Sequence, residues 1–467
     1  MKFRACVFLT ALFLSVSFVA SAEGDKTTAT AGWAEVDITP PLGVVMGGRG
    51  LTETVGKKLL DPLMAQVLYL KDNKGTGFVL VSFDLVGMPH DVSDRIRTDI
   101  THELGVEWNL ILLNVSHTHS GPLMIRTVLA AGGPLRQNEV EYQEALVGKI
   151  LSATRAAAKS MSPVKVEVFE GKSRIAMNRR GKNKQGETAM VPAPNSPIDE
   201  NLWVLKLTPT DGKAPAVVFS YACHPVIVYG FAGAAISSDF PGVTRKALRG
   251  QLGEKVHTQF VQGLAGDVRP RVLAEVDKNH FRVSKPGDEV QAGTELANDV
   301  LAALKTKATD LKLNLAAAGD RPLFPRGERP SRKTYEEMQL KGKSKVAEYW
   351  LERYDANEGF SKGDPWSVGL IRLADNQWIV HLAGEPCVEW RPKFAQWLKG
   401  KKFVPFGYSQ ESITYLPTEE MLPEGGYEVD DSNHARASSP ARFGIGLNDA
   451  MRKSVLRQLS FIEAKVK

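Results

Sequence analysis

Short apolar runs recur along the chain, and most end at a polar residue set beside glycine or proline. Residues 33–38 alternate as a half-buried strand does and stop at Thr39-Pro40-Pro41. Residues 65–70 and 77–83, joined by Asp72-Asn73-Lys74-Gly75, read as a hairpin. Its second arm is apolar almost throughout, as a strand buried on both faces is. Further strands are expected over 110–115, 164–170, 202–207, 216–223, 257–261, 368–373 and 378–382. Helical periodicity and caps predict helices at 92–104, at 138–159 with Asn138 as cap, at 289–307, at 388–399 and at 447–463. Another helix follows the turn Ser237-Ser-Asp-Phe-Pro-Gly242 and carries Arg245, Lys246 and Arg249. Strands and helices interleave without a strict βαβ rhythm and without a firm boundary. The expectation is an α/β fold: a mixed β-sheet core with flanking helices in a single large domain, residues 23–467. Between 320 and 364 the pattern weakens, basic residues cluster from Arg326 to Lys345, and a helix at 334–354 is expected. That segment reads as an insertion or lid.

The start of the chain follows another pattern. Lys2 and Arg4 precede an apolar stretch over 7–19, and Ala20-Ser21-Ala22 offers a small-residue cleavage site. A signal peptide over 1–22 is expected, which makes the mature protein secreted or periplasmic. The stretch is shorter than the roughly 20 residues that span a bilayer, and no later segment qualifies as transmembrane. A formal charge of +6, without an aromatic-basic array, is too mild for a nucleic-acid partner. The expected partner is a small-molecule or lipid-like substrate. Cys223 and Cys387 follow the leader. Export permits a disulfide between them, and two buried thiols fit equally.

Strand ends hold the candidate chemistry. Asp84, His117 with His119, His224, Asp267 and Glu385 each close an apolar run. One such residue alone marks a structural hydrogen bond as readily as a site. Several together mark a mouth, because a sheet holds strand-end side chains rigidly in front of substrate. Two or three histidines and a carboxylate suit a catalytic zinc with one position left for water. Two cysteines cannot build a thiolate zinc site. The chain has no HExxH helix, no GxSxG elbow and no GxxxxGK[ST] phosphate loop. The loop from Gly43 to Gly50, with Met46-Gly47-Gly48-Arg49 at its centre, lets backbone approach a neighbour closely.

Ser116-His-Thr-His-Ser-Gly-Pro122 resembles the hallmark of the neutral/alkaline non-lysosomal ceramidases. Further motifs follow in the family's order over residues 33–430: Asp37-Ile-Thr-Pro-Pro41, Ser82-Phe-Asp84, Asn178-Arg179, Ala222-Cys-His-Pro225, Ser238-Asp239, Gly266-Asp-Val-Arg-Pro270, Gly384-Glu-Pro386, Tyr415-Leu-Pro-Thr-Glu-Glu420 and Tyr427-Glu428. The resemblance implies a catalytic domain of sphingolipid metabolism that cleaves an N-acyl amide with zinc-activated water. It implies Zn2+ held by His117, His224, Glu385 and Tyr415. It sets His119 towards substrate, with Asp239, Asp267 and Arg269 in the catalytic set.

Two departures stand out. Where the family has serine in Gly-Asp-Val-Ser-Pro, this chain has Arg269, and an arginine is no nucleophile at ordinary pH. A guanidinium there either holds an anionic substrate group or pairs with Asp239 or Asp267. The chain also stops soon after Tyr415, where the ceramidases carry an additional β-sandwich domain. The leading expectation is a zinc-dependent amidohydrolase. The alternatives are the same zinc site acting on an anionic or sugar-derived amide or ester, and a non-catalytic exported binding protein with a relic site.

Overall fold

The structure, a computed structural model, describes residues 29–49, 52–125, 135–342, 344–434 and 439–465. The leader expected over 1–22 lies outside the described residues. The chain forms an α/β fold built on two sheets rather than one. The larger sheet contains β1 (Thr30–Asp37), β2 (Met64–Lys71), β3 (Gly77–Phe83), β4 (Ile111–Val115), β5 (Ser162–Lys172), β6 (Asn201–Pro209), β7 (Ala216–Tyr221) and β8 (His257–Gln262). Their order is β8-β7-β6-β5-β1-β2-β3-β4, and Thr309–Asp310 adds a short ninth strand on β5. Only the outermost pairs, β7 with β8 and β3 with β4, are parallel. β3, β4, β7 and β8 are buried along their whole length; the first three are largely apolar, whereas β8 buries His257, Gln259 and Gln262.

The two edges of this sheet meet. The Asn114 amide donates to the carbonyl of Gln262 at 3.3 Å, and the Gln262 N–H donates to the Asn114 Oδ1 at 2.8 Å. Gln259 Nε2 reaches the carbonyls of Gln66 and Leu80, each at 3.3 Å. Buried amide side chains thus take over where backbone pairing ends and satisfy groups that burial would otherwise leave orphaned. As a result, the loops after β4, β7 and β8 open onto one mouth.

Helices α1 (His90–Leu104) and α2 (Gln137–Lys159) pack together, with α2 lying on β1 and β2. The second starts one residue before the expected Asn138, because Glu139 reaches back to the N–H of Arg136 at 2.8 Å and closes the cap there. Helices α3 (Asp239–Leu252) and α4 (Asp288–Ala303) pack on each other, α3 against β8 and α4 against β5 and β6.

The smaller sheet contains β9 (Ala316–Asp320), β10 (Val368–Ala374), β11 (Gln377–Leu382) and β12 (Lys402–Phe406), in that order. The segment after β12 stitches it to the larger sheet: the Val115 N–H donates to Tyr408 O at 3.1 Å and the Gln410 N–H to Leu113 O at 2.8 Å. The helix expected over 334–354 is two helices, α5 (Arg332–Leu340) and α6 (Ser344–Asp355). Gly342 at φ 82° lies between them, and they close their own small core around Tyr335 and Trp350. Trp350 Nε1 donates to the carbonyl of His434 at 2.8 Å, and Arg326 Nη1 to the carbonyl of Ala441 at 2.9 Å, fastening the segment to the body. No helix among the described residues is long and apolar enough to cross a membrane. Cys223 and Cys387 are buried free thiols.

Asp84 departs from the strand-end reading. It is fully buried and gripped by Arg245, with Nη1 2.9 Å from its Oδ1, and it accepts from the Met64 N–H at 2.9 Å. Its carboxylate holds α3 to the sheet and takes no part in the histidine cluster described next.

Candidate metal centre

His117 follows β4 at φ 67°, a left-handed conformation that a side chain strains to adopt. Its N–H donates to Leu85 O at 2.9 Å, and its Nδ1 lies 2.5 Å from Val86 O. His224 follows β7, wholly buried, with Nδ1 2.6 Å from Ala265 O in the loop after β8. A ring nitrogen facing a carbonyl carries the proton, so each imidazole presents Nε2 as a lone pair. Both Nε2 atoms lie 3.2 Å from Oε2 of Glu385. Glu385 belongs to the two-residue strand Glu385–Pro386, which pairs in parallel with Tyr415–Leu416 and sets Glu385 opposite Tyr415. The Tyr415 ring stacks on His224 at 6.4 Å and 13°. His119 brings Nε2 to 3.2 Å from His117 Nε2, with its own Nδ1 3.0 Å from Gly48 O. The metal-ligating nitrogens of His117, His119 and His224 all lie within 4.8 Å of one another.

The charge states follow from burial. His224 is pulled down to about 4 by desolvation, with the Arg179 cation adding to the effect. His119 is held well below its ordinary value by burial and by the two neighbouring imidazoles. Burial pushes the Glu385 carboxyl up, but His117 and His224 outweigh it and hold the group well below the usual range. With each Nδ1 facing a backbone carbonyl, the His117 and His224 rings turn Nε2 towards the Glu385 carboxylate. A cation between them satisfies all three, and nitrogen with carboxylate oxygen suits zinc. Burial raises Tyr415 well above its ordinary value and the Glu385 carboxylate adds to that, so its phenol is neutral unless a cation lies beside it. The residues present fit the metal that the sequence implied.

Sequence reasoning missed Tyr408. Its ring centroid lies 4.6 Å from His117 and 5.9 Å from His224, and its buried hydroxyl has no hydrogen-bond partner. It has φ 49°, and no motif or spacing marks it. The glycine loop did carry a signal: an added Cβ at Gly48 would stand 2.5 Å from His119 Nδ1, so the missing side chain is what lets the loop reach the histidine.

Asp239 and Asp267 are fixed to the frame. Asp239 Oδ2 accepts from the N–H groups of Ile227 and Val228 at 2.9 and 2.8 Å, just after the His224-Pro225 corner. Asp267 accepts from the Val388 N–H at 2.8 Å and from Asn178 Nδ2 at 3.1 Å. Burial pushes their carboxyls up to about 7 and about 6. The alternative in which Arg269 pairs with either aspartate is not the arrangement found. Arg269 lies 5.0 Å over the Phe281 ring, and its Nη1 meets Met190 Sδ at 3.6 Å. Arg49 lies 4.4 Å over the Tyr229 ring, and all three of its guanidinium nitrogens are buried without a hydrogen-bond partner. Tyr229 stands 5.9 Å from His119 in turn. Burial lowers both arginines to about 10, so both remain cations near neutrality. Arg179 and Arg180 differ: they clamp Glu428 from both sides at 2.8 and 2.9 Å.

The sequence profile described as "Neutral/alkaline non-lysosomal ceramidase, N-terminal" matches residues 30–290. Two solved structures share the fold. One, titled "Ceramidase complexed with C2", has a TM-score of 0.72 at 15% identity and covers 94% of this chain and 76% of that one. The other, a neutral ceramidase from Pseudomonas aeruginosa, has a TM-score of 0.71 at 14% identity and covers 95% of this chain and 75% of that one. No curated protein matches the chain.

Proposed function

The chain belongs to the neutral/alkaline non-lysosomal ceramidase family, and on that premise we propose that it is an exported, zinc-dependent amidohydrolase that cleaves an N-acyl bond. The observation that carries this reading is the meeting of His117 Nε2, His224 Nε2 and Glu385 Oε2 at 3.2 Å. Those three residues and Tyr415 would hold the metal. Zinc bound there supplies a Lewis acid and a water acidified to near neutrality.

The remaining residues have separate tasks. Hydrolysis moves a water's hydroxyl to the acyl carbon, breaks the C–N bond and delivers a proton to the departing amine. His119 is neutral, and its Nδ1 is tied to Gly48 O, so its Nε2 is the group placed to carry that proton. Asp239 and Asp267 act as positioning residues: one braces the corner after His224, the other joins the loop after β8 to Val388, three residues beyond Glu385. Arg269 excludes an acyl-enzyme on a serine at that position. The test is product analysis on a neutral N-acyl amide: free acid and amine should appear, cease with a chelator and return with zinc. His119→Ala should retain zinc and lose about 10²–10⁴ in kcat. Turnover that ignores both treatments contradicts the reading. N-terminal sequencing of the exported protein tests the leader, with Glu23 as the expected first residue.

A further inference from the structure

Buried cations in this molecule have partners as a rule. Arg245 grips Asp84, Arg326 grips Asp364, and Arg179 and Arg180 share Glu428. Burying a charge without a counter-charge is costly, and buried N–H groups left without acceptors add to the cost. Arg49 breaks the rule beside the histidine cluster, and Arg269, half-buried, likewise meets no carboxylate among the described residues. Each guanidinium carbon stands over an aromatic ring: Arg49 over Tyr229 at 4.4 Å, Arg269 over Phe281 at 5.0 Å. A guanidinium over an aromatic ring can keep its N–H fork, which lies in its own plane, free for an oxygen pair. For Arg269 the one protein acceptor among the described residues is the Met190 thioether, a weak one, and for Arg49 there is none. The chain also links Arg49 to the chemistry, since its neighbour Gly48 holds His119 Nδ1 through a backbone carbonyl at 3.0 Å. Tyr229, under Arg49, edges against His119 at 5.9 Å, and Arg269 lies within electrostatic reach of Tyr229 and Tyr415.

We propose that Arg49, beside His119, forms with Arg269 an anion subsite, and that the N-acyl substrate carries a carboxylate or phosphate close to the scissile amide. This rests on the amidohydrolase reading above and gives it a substrate class: N-acylated amino acids or N-acyl amino-alcohol phosphates rather than neutral N-acyl amino alcohols. An oxygen pair on each fork supplies the acceptors that the protein withholds.

The experiment compares kcat/KM for three amides with one acyl chain: N-acyl serine, N-acyl ethanolamine phosphate and N-acyl ethanolamine. Wild type should prefer an anionic amide over the neutral one by at least tenfold. The larger ratio identifies carboxylate or phosphate as the group recognised. Arg49→Gln and Arg269→Gln should each lower that ratio at least tenfold, and Arg269→Lys should restore part of it. A wild-type ratio of one or less, or a ratio unmoved in both Gln variants, overturns the proposal. Zinc content and thermal unfolding of each variant show whether the fold is intact, and a variant that fails to fold leaves the wild-type ratio and Arg269→Lys to decide. Calorimetry with N-alkyl glycine and N-alkyl ethanolamine, which cannot be hydrolysed, separates the two readings. Arginine-dependent binding of N-alkyl glycine without turnover of any amide removes the hydrolase and keeps the subsite. Turnover without anionic preference does the reverse.

Discussion

Two pairs of arginines border the candidate metal site and do different work. Arg179 and Arg180 are buried, and both oxygens of Glu428 are engaged between them at 2.8 and 2.9 Å. Arg179 also stands 5.3 Å from the Tyr415 ring centroid, so this pair fixes the wall that carries the phenol. Arg49 and Arg269 stand over aromatic rings and meet no carboxylate among the described residues. Residue type is the same in the two pairs, although Arg179 and Arg180 are buried and Arg49 and Arg269 half-buried. The partner is what separates a strut from a group with binding capacity to spare. An arginine near a catalytic centre is therefore read from what it already touches, and not from its distance to the metal.

Breaking the paired side should have the largest effect. Glu428→Ala leaves two buried cations without their carboxylate, and breaking such a cluster costs about 3–5 kcal/mol. Denaturant unfolding should show that loss, and a change below about 1 kcal/mol would put the pair outside the fold's support. Next comes Gly48→Ala on the unpaired side. The added Cβ would stand 2.5 Å from His119 Nδ1 at a backbone φ of +71°, so the histidine or the loop must shift. A displacement near an ångström costs on the order of 10²-fold in kcat/KM, while the strain on the fold is about 1 kcal/mol. Equal activity in this variant would detach the glycine loop from catalysis.

Arg269→Leu sharpens the comparison from the stability side. Removing a cation without a counter-charge should change unfolding free energy by no more than about 1 kcal/mol in either direction, whereas Arg180→Leu strips Glu428 of a partner and should cost several times as much. Equal costs would mean that Arg269 is a strut after all. A further effect lies away from both pairs. His257 is buried in β8 and held down to about 4, mainly by desolvation. The unfolded chain takes up that proton first, near 6.5, so the stability from keeping His257 neutral is present above 6.5 and lost as pH falls through 4. The difference in unfolding free energy between wild type and His257→Gln should shrink over that window. A difference that stays constant contradicts the assignment.

Much of this was legible in the sequence, for a local reason. An apolar run ending in a polar residue beside glycine or proline reports a strand end, and His117, His224 and Glu385 were found that way. The same signal included Asp84, which points to Arg245, because a run of residues does not say which face its last side chain takes. The fold class was legible from interleaved elements. The division into two sheets was not, since it depends on Gln259, Gln262 and Asn114 closing the larger sheet on itself across more than a hundred residues of chain. Nor could spacing show that Asp239 and Asp267 are held by donors of the frame while Arg269 lies over Phe281. Arg49, Tyr229 and Tyr408 carry no pattern of their own and enter only through contacts made in three dimensions.

The central claim is that the imidazoles and Glu385 hold zinc, and metal analysis tests it most directly. Purified wild-type protein should carry close to one equivalent of zinc, and Glu385→Ala, purified alongside and shown to be folded by its thermal transition, should carry a small fraction of that. Less than about half an equivalent in wild type, unchanged in the variant, would contradict the account, because atoms converging at 3.2 Å would then be holding something other than the metal.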